Sequence, residues 1–501
     1  MKYNLHFLEQ TAIIFGDRKY SYREFDDITD KIAVSLIQLR IHQGDRIALH
    51  LANCPEIVFC YYACFKIGAI TVPINARLKA PEIEYILSHC QAKICISQED
   101  LFPEIQLIQD NLATCQTYFL VGNNAEFADV NQFSQLLNPK IDKTELPRID
   151  PNAVAAILYT SGTTGLPKGV THTHKSLQLT ATYHARQVHL THTDVCGVVL
   201  PLIHIGGIAF EMLTALSIGA TLVIISPPDP ILVLQNLQQN CVTYFVGMPV
   251  LFNALVNYPN ADDYNLDALR ICLAGGDAVP ASLQQHFAEL FRVEIREVCG
   301  MTEVIPYALN PQKDNRVGSI GKPARGMQLR LVNEQGQDIA PGKTGEILVK
   351  SDAMMVGYWK DPEATTAVFT DGWLHTGDLA WMDEDGYYWF VSRKKDIIIR
   401  GGSNISPLEV EGVLYQHPAI REAAVIGVPN PTWGEVVRAF VALRAEYETT
   451  AAELREFMRP KIAAYKIPEK ITVLSELPKG STGKIHRQTL RDRAREIFSL
   501  V

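Results

Sequence analysis

Helical and strand-like patterns alternate along the first part of the chain, and this alternation restricts the fold more than any other feature. A capping-box pattern, Ser21 to Glu24, precedes apolar residues at helical spacing, and a strand-like run over 46–51 follows. The pattern then predicts helices over 55–67 and 81–89 and strands over 69–73 and 93–97. Repeated helix and strand of this kind predicts an α/β fold, with a parallel sheet and helices on its faces.

The middle of the chain continues this pattern and then departs from it. Apolar runs bounded by Gly, Pro or polar residues predict strands of a second α/β subdomain at 154–159, 220–225, 243–246 and 270–273. From Gly318 onward, short runs broken by Gly and Pro predict a small antiparallel unit, with strands at 328–332, 345–349 and 387–391. The last hundred residues, which carry many charges, are predicted to form a compact α+β unit.

Length, charge and cysteine content exclude several classes of protein. A length of 501 residues predicts more than one domain, and a formal net charge of -9 gives no basic field for a nucleic-acid partner. The start of the chain lacks a secretory signal, and the apolar run 57–65 is too short to span a membrane, which predicts a cytoplasmic protein. All ten cysteines lie between Cys54 and Cys299 without a C-x-x-C pair, which favours buried reduced thiols over a disulfide or metal site. The sequence leaves the oligomeric state open.

A segment rich in glycine and hydroxyl side chains, residues 159–169, directly follows a predicted strand. Its glycines allow a tight turn close to an anion, its hydroxyls can hydrogen-bond phosphate oxygens, and Lys168 can neutralise them. The segment lacks Walker A spacing, and an ordinary Ser/Thr/Gly turn is the alternative interpretation. The candidate ATP-binding residues in it are Thr160, Ser161, Gly162, Thr163, Thr164, Gly165 and Lys168.

This segment resembles the phosphate-loop signature of the adenylate-forming superfamily, which includes acyl-CoA synthetases, adenylation domains and luciferases. Five further segments are similar to family motifs and stand in the family's order, at 201–204, 299–303, 375–378, 392–402 and 478–484. The resemblance covers nearly the whole chain. It implies a large N-terminal domain of α/β subdomains with a small distorted β-barrel piece, residues 1–392, and a small mobile α+β domain, residues 393–501.

The family's reaction joins a carboxylate to the α-phosphate of ATP and then passes the acyl group from acyl-AMP to coenzyme A. The resemblance therefore implies an AMP-forming acid–thiol ligase that uses ATP, Mg²⁺ and coenzyme A. Because both first reactants are anions, the site needs cations and oriented donors where charge builds up. Two alternatives stay open: transfer of the acyl group to a carrier protein, and a non-catalytic protein that binds an acyl ligand or a nucleotide.

The resemblance also implies roles for single residues around the nucleotide. Lys484 lies between the carboxylate and the α-phosphate, and Thr302 contacts the same phosphate. Glu303 holds the magnesium ion that clamps the phosphates. Asp378 accepts hydrogen bonds from both ribose hydroxyls, and Arg393 approaches the same sugar from the domain junction.

In this family the C-terminal domain swings between an adenylating pose and a thioester-forming pose. The pivot matches Lys395, and in the second pose Gly401 and Gly402 would line the pantetheine tunnel of coenzyme A while Lys484 moves away. One position departs from the family: Cys299 stands where an aromatic ring usually stacks on adenine. Because stacking is worth about 1 to 3 kcal/mol, a tyrosine at position 299 is expected to tighten ATP binding.

By resemblance, small and apolar residues build the acyl pocket. They are His204, Gly206, Gly207, Val246, Gly275, Val298 and Ile305, with Gly276 beside the nucleotide and His204 also among the catalytic residues. The nearby carboxylates are Glu211, expected on an outer helix face, and Asp277, expected in a turn, so neither would pair with a substrate ammonium. The pocket therefore predicts a hydrophobic fatty or aryl acid.

Overall fold

A computed structural model describes most of the chain, namely residues 7–122, 127, 129–139, 145–160, 166–277, 279–480 and 484–496. Within these ranges, no helix has the length and apolar character needed to cross a membrane. The expected mixed α/β fold is confirmed, with four sheets in all in the described ranges.

The first part of the chain alternates strands and helices, as the sequence predicts. Its elements are β1 (Thr11–Phe15), β2 (Arg18–Ser21), α1 (Tyr22–Gln38), β3 (Arg46–His50), α2 (Pro55–Ile67), β4 (Ile70–Pro73), α3 (Ala80–Cys90), β5 (Ile94–Gln98), α4 (Phe102–Gln106), β6 (Thr117–Val121), β7 (Asn131–Gln132), β8 (Val154–Thr160) and β9 (Lys168–Thr173). The capping box of α1 is present, because Ser21 and Glu24 each accept a hydrogen bond from the other's backbone amide. This satisfies two amides that the start of a helix otherwise leaves without partners.

The middle of the chain forms the second α/β unit. Its elements are α5 (His174–Gln187), β10 (Val195–Val198), a π-helical segment (Gly206–Met212), α6 (Leu213–Ser217), β11 (Thr221–Ile224), α7 (Pro230–Gln239), β12 (Tyr244–Gly247), α8 (Pro249–Val256), β13 (Ile271–Gly275), α9 (Ala281–Phe291), β14 (Ile295–Met301) and β15 (Val304–Leu309). Strands β10 to β14 pair in parallel, and β15 turns back antiparallel along β14.

Shorter strands follow, and then the C-terminal unit. The elements are β16 (Lys322–Pro323), β17 (Gln328–Val332), β18 (Gly345–Lys350), β19 (Gly357–Tyr358), α10 (Pro362–Val368), β20 (Phe369–Thr370), β21 (Trp373–Met382), β22 (Tyr388–Arg393), β23 (Ile398–Arg400), β24 (Ser403–Ile405), α11 (Pro407–Leu414), β25 (Ile420–Asn430), β26 (Gly434–Leu443), α12 (Ala451–Met458), β27 (Lys470–Leu474) and α13 (Arg487–Glu496).

Sheet order places the two α/β units side by side. One sheet has the order β19-β9-β8-β4-β3-β5-β6-β7, and the other has the order β16-β15-β14-β13-β12-β10-β11-β1-β2. The predicted antiparallel unit is the sheet β17-β18-β21-β20, with β22 on β21, and the C-terminal unit is built on β24-β23-β26-β25, with β27 on β26. A shared hydrophobic core contains residues from both α/β units, so the two units pack against each other.

Candidate active site

The carboxyl ends of β12, β13 and β14 bring predicted acyl-pocket residues together. In the parallel register Val246 pairs with Leu273, and Gly275 pairs with Val298. Paired residues of neighbouring strands point to the same side of a sheet, so Val246, Gly275 and Val298 share one face. A Cβ atom on Gly275 would lie 2.4 Å from the Val298 carbonyl oxygen, so this approach requires glycine.

The start of the π-helical segment lies over the same edge. A Cβ atom on Gly206 would lie 3.3 Å from Leu200 Cδ1 and 4.0 Å from Ile305 Cδ1. A Cβ atom on Gly207 would lie 2.5 Å from the Pro201 carbonyl oxygen, which only glycine avoids. The structure therefore brings these predicted pocket residues close to one another.

Lys484 reaches this edge from the C-terminal unit. A Cβ atom on Gly276, whose φ is +86°, would lie 3.5 Å from Lys484 Cε and 3.8 Å from its Nζ. Lys484 as a whole residue is exposed, but its ammonium group is surrounded by protein. This desolvation lowers the pKa of Lys484, and the nearby Asp277 partly opposes the shift. Burial and the nearby lysine together lower the pKa of His204 to about 4, so His204 is neutral at pH 7. The ammonium group thus lies beside predicted nucleotide and acyl residues.

Polar contacts between the C-terminal unit and the second α/β unit accompany this placement of Lys484. Arg444 in the C-terminal unit donates to Asn257 Oδ1 at 3.1 Å. Arg487 forms a 2.8 Å ion pair with Glu411. Both side chains are close enough to Asp277, in the second α/β unit, to interact with it electrostatically. Asp277 lies in a bend after β13, as expected, and faces the C-terminal unit.

The turn between β14 and β15 carries Thr302 and Glu303. His172 Nε2 lies 2.8 Å from the Thr302 carbonyl oxygen, and the Tyr358 hydroxyl donates to Glu303 Oε1 at 2.7 Å. The ammonium group of Lys168 lies 5.1 Å from the centre of the Tyr358 ring. Strand β19 pairs with β9 and so brings Tyr358 to this turn. His172 and Tyr358 are site residues that the sequence analysis missed.

Glu303 is buried and uses one carboxylate oxygen on Tyr358, which leaves Oε2 for another ligand. In the described part of the chain, no group of three or more His, Cys, Asp or Glu residues is arranged to hold a metal ion. A single carboxylate fits Mg²⁺, which proteins hold through one or two carboxylates together with substrate phosphates. The residues present therefore suit a magnesium ion that arrives with the nucleotide.

Strands β21 and β22 place Asp378 directly opposite Arg393. Arg393 Nε lies 3.0 Å from Asp378 Oδ1, and the Tyr307 hydroxyl donates to Asp378 Oδ2 at 2.6 Å. Burial raises the pKa of Asp378, while Arg393 and the Tyr307 hydrogen bond oppose that rise. Arg393 and Tyr307 therefore hold both oxygens of this carboxyl group in one orientation.

Cys299 takes part in the same network. Its Sγ lies 2.9 Å from the Tyr307 hydroxyl oxygen, and burial raises the pKa of the thiol to about 12. The thiol is therefore neutral and can donate to Tyr307. That a tyrosine at position 299 tightens ATP binding stays a prediction, and the structure adds an opposing cost, because a ring placed along the thiol direction would displace the Tyr307 hydroxyl.

Removal of the Tyr307 hydroxyl tests this network. We expect Tyr307→Phe to raise KM for ATP about tenfold with a smaller change in kcat, since a hydrogen bond to a charged group is worth about 1.5–3 kcal/mol. The pKa of Asp378 should also rise, because the hydroxyl favours the ionised form. The activity that depends on ionised Asp378 is lost as pH falls through that pKa, so the acid limb of kcat/KM for ATP should move to higher pH.

Tyr387→Phe is the matched control for this measurement. The Tyr387 hydroxyl donates to the Asp314 backbone and carboxylate at 2.7 and 2.9 Å, away from the residues described above. It should leave KM for ATP and the acid limb unchanged. An unshifted acid limb in Tyr307→Phe would show that the hydroxyl does not act through Asp378.

The predicted phosphate loop joins β8 to β9. The two strands pair antiparallel, with Thr160 opposite Lys168, so these residues flank the loop. The loop residues Ser161, Gly162, Thr163, Thr164 and Gly165 lie outside the described residues.

The predicted hinge residue, Lys395, lies in a short 3-10 helix between β22 and β23. Burial and the neighbouring Arg393 lower its pKa. The next residue, Asp396, forms a 2.7 Å ion pair with Arg491 of α13. The connection between the main body and the C-terminal unit is thus short and anchored on its C-terminal side.

Gly401 and Gly402 form the tip of the hairpin between β23 and β24. Their φ values of +56° and +82° favour glycine, and both residues are exposed. The Gly401 amide donates to the Trp433 carbonyl oxygen at 2.7 Å, and a Cβ atom on Gly401 would lie 3.0 Å from the Trp433 ring. The nearest described side chain to Gly401 is therefore Trp433, while Lys484 points into the main body.

The expectation that Glu211 lies on an outer helix face is wrong. Glu211 is completely buried in the π-helical segment, and burial raises its pKa well above the ordinary value. A segment that is apolar on every side is covered on every side, so its single acidic residue is buried as well.

Cys60 and Cys64 are buried, as predicted. All ten cysteines lie in described residues and carry free thiols, and eight of them are buried, the exceptions being Cys241 and Cys299.

This site combines Lys484 and Arg393 with small and apolar residues at the strand ends and with two buried carboxyl groups, Glu303 and Asp378. Such an arrangement suits the joining of an apolar acid to a nucleotide phosphate, which defines the class of acid-activating enzymes. The family model described as "AMP-binding enzyme" matches residues 4–359, and "AMP-binding enzyme C-terminal domain" matches residues 409–484. The chain belongs to the AMP-binding enzyme family.

Relatives of known activity cover almost the whole chain. A long-chain-fatty-acid–CoA ligase from Bacillus subtilis (strain 168) is 34% identical over 98% of this chain and 93% of its own length. A feruloyl-CoA synthase from Amycolatopsis sp is 33% identical over 96% of both chains. The structure of the anthranilate CoA ligase AuaEII in complex with anthranoyl-AMP matches with a TM-score of 0.92 and 31% identity, over 98% of this chain and 95% of that one.

These similarities define the reaction. The chain is an AMP-forming acid–thiol ligase that makes an acyl-CoA from a carboxylic acid, ATP and coenzyme A through an acyl-AMP intermediate. The resemblance found in the sequence and the α/β fold that it implied are confirmed, and coenzyme A is favoured over a carrier protein as acceptor.

Proposed function

We propose that this ligase activates an aryl acid, and one observation carries the choice over a long-chain fatty acid: large side chains lie buried below Val246, on the face of the sheet that carries the predicted acyl-pocket residues. These side chains belong to Tyr244, His184 and Phe210, which are at most 1% exposed. The His184 and Phe210 rings stack with centroids 3.7 Å apart, and His184 Nε2 lies 2.7 Å from the Tyr244 hydroxyl oxygen.

The sheet register supports a shallow pocket. Tyr244 precedes Val246 by two residues on the same face of β12, and its partner Ile271 precedes Gly275 by four residues on β13. At about 3.3 Å per residue, the floor lies about 13 Å below Gly275. An aryl acid fits this depth, whereas a long fatty chain extends beyond it.

In the first half-reaction, a carboxylate oxygen of the acid attacks the α-phosphorus of ATP, and the bond to the leaving pyrophosphate breaks. Lys484 neutralises charge between the two anions, and Thr302 donates to the α-phosphate. Glu303 would hold Mg²⁺, which supplies positive charge at the phosphates when bound. Asp378 and Arg393 bind the ribose, and Thr160, Lys168 and Gly276 provide further contacts to the nucleotide.

In the second half-reaction, the thiolate of coenzyme A attacks the acyl carbon, and the bond to AMP breaks. For this step, residues 393–501 turn as a mobile domain about Lys395, relative to residues 1–392. Lys484 then leaves the site, and the exposed tip at Gly401 and Gly402 takes its place beside the pantetheine. Support comes from the short anchored connection at the hinge and from the placement of Lys484 and the glycine tip at separate locations.

The substrate proposal is tested by pyrophosphate release over a panel of aryl acids and of fatty acids of increasing length. We expect the highest kcat/KM with an aryl acid and a fall for fatty chains longer than the pocket. A preference that keeps rising with fatty chain length would contradict the closed floor. The relatives named for feruloyl-CoA and anthranilate make aryl acids a reasonable first panel.

We also propose a cytoplasmic location, supported by the ten free thiols, since disulfides are rare in that compartment.

A further inference from the structure

Tyr358 contacts two groups of the predicted nucleotide site at once. Its hydroxyl donates to Glu303 Oε1 at 2.7 Å, and the ammonium group of Lys168 lies 5.1 Å from the centre of its ring. Within the part of the chain that the structure describes, this is the one hydrogen bond that reaches the Glu303 side chain. The hydroxyl therefore decides which oxygen of this buried carboxylate stays open to another ligand.

The backbone fixes Tyr358 on two sides. On one side β19 pairs with β9, and the Trp359 amide donates to the Gly169 carbonyl oxygen at 2.7 Å. On the other side the Tyr358 amide donates to Thr365 Oγ1 at 2.9 Å. The hydroxyl thus has a rigid support, and it holds Glu303 Oε1 in one place.

The same short segment also holds the backbone of Glu303. The Met355 amide donates to the Glu303 carbonyl oxygen at 2.8 Å, and Met355 lies three residues before Tyr358. The segment 355–358 therefore fixes both the main chain and the side chain of Glu303. A rotation that exchanged the two carboxylate oxygens would break the contact with the hydroxyl, so Oε1 and Oε2 stay distinct.

The number of open carboxylate oxygens matters for the choice of metal ion. Mg²⁺ demands near-ideal octahedral geometry and is bound through one or two carboxylates together with substrate phosphates and water. Ca²⁺ is larger, takes more oxygen ligands in a flexible geometry and accepts carboxylates through both oxygens. A carboxylate with one oxygen already engaged by a hydroxyl offers a single-oxygen contact, which suits Mg²⁺ better than Ca²⁺.

We propose that Tyr358 sets the metal preference of the nucleotide site: its hydroxyl engages Glu303 Oε1, so that Glu303 binds the metal through Oε2 alone and Mg²⁺ is favoured over Ca²⁺. Tyr358 is a positioning residue, because it acts on the metal through Glu303. The proposal rests on the role given to Glu303 in the proposed function, and it adds what makes that carboxylate selective.

Equilibrium dialysis of ATP, with Mg²⁺ or Ca²⁺ in excess and without an acid substrate, tests this proposal. The measured quantity is the ratio of the two ATP dissociation constants, which needs no turnover. We expect wild type to bind ATP about tenfold more tightly with Mg²⁺ than with Ca²⁺, which is the scale of one hydrogen bond to a charged group. In Tyr358→Phe, which keeps the ring beside Lys168, the ratio should fall toward one.

Tyr85→Phe is the matched control, because it also removes one hydroxyl next to the predicted phosphate loop. The Tyr85 hydroxyl donates to the Pro167 carbonyl oxygen at 3.1 Å rather than to a carboxylate. Loss of this contact can weaken ATP binding, but it should do so equally with both metals and leave the ratio as in wild type. The number of sites is fitted together with each dissociation constant, so the ratio does not depend on the folded fraction.

Three results would overturn the proposal: a wild-type ratio near one, an unchanged ratio in Tyr358→Phe, or an equal fall in both tyrosine variants. Glu303→Gln separates these results from a failure of the proposed function. If Glu303 holds the metal, this variant binds ATP with little dependence on either metal. Should Glu303→Gln instead keep the wild-type response to Mg²⁺, the role given to Glu303 is wrong, and the proposal for Tyr358 falls with it.

Discussion

Replacement of Lys484 by alanine is expected to slow acyl-AMP formation by at least about 10²–10³-fold while leaving the second half-reaction largely intact. The ammonium group lies within van der Waals distance of the Gly276 position, where it can neutralise charge between carboxylate and α-phosphate. Removal of one preorganised group of this kind costs about 2.7–4 kcal/mol of transition-state stabilisation. The first half-reaction is measured by pyrophosphate release, and the second by thioester formation from supplied acyl-AMP and coenzyme A.

The control for this variant is Lys479→Ala. Lys479 lies in the same C-terminal segment, but it forms a 2.7 Å ion pair with Glu422 of the C-terminal unit. Both half-reactions should be close to wild type in this control. If Lys484→Ala slows the two half-reactions equally, the lysine does not act in one pose alone, and the proposed domain rotation loses its main support.

Local signals were sufficient for much of the fold. Helix α2 spans Pro55–Ile67, as predicted, because Pro55 suits the first turn and Gly68, at a φ of +71°, ends the helix. The capping box at Ser21 and several strands of both α/β units were predicted for the same reason. The assignment of strand 154–159 to the second unit is wrong, because β8 pairs with β4 in the first sheet. In each case a few neighbouring residues carry the signal.

The site was predicted less completely, because its contacts join distant parts of the chain. Tyr358 reaches Glu303 across 55 residues, and His172 reaches Thr302 across 130 residues. Neither pairing leaves a periodic or motif signal near the residues concerned. The family motifs identified Thr302 and Glu303 but not the side chains that position them.

Glu211 shows a different limit of sequence analysis. A lone carboxylate in an apolar helix is ordinarily expected to point to solvent, since burial of an unpaired charge is costly. Here the π-helical segment packs against α5 and the sheet, so no side of it is free.

Asp378→Asn is expected to raise KM for ATP by more than about a hundredfold, with a smaller effect on kcat. The substitution keeps the shape of the side chain but removes the charge that would accept hydrogen bonds from two ribose hydroxyls. Each hydrogen bond to a charged group is worth about 1.5–3 kcal/mol. The guanidinium group of Arg393 also loses its ionic partner, because its Nε lies 3.0 Å from Asp378 Oδ1. ATP titration at saturating acid measures the effect.

Asp383→Asn is the control, because it makes the same change at another aspartate of the same hairpin. Asp383 accepts hydrogen bonds from Arg316 at 2.9 Å and from the Trp389 indole at 3.1 Å, at the far end of β21 and β22. Its replacement can lower stability, since it breaks these contacts, but it should leave KM for ATP unchanged. Equal changes in the two variants would mean that Asp378 acts on the hairpin as a whole. A large change in Asp378→Asn alone, combined with the smaller change in Tyr307→Phe, would show that the carboxylate binds the nucleotide and that the hydroxyl orients it.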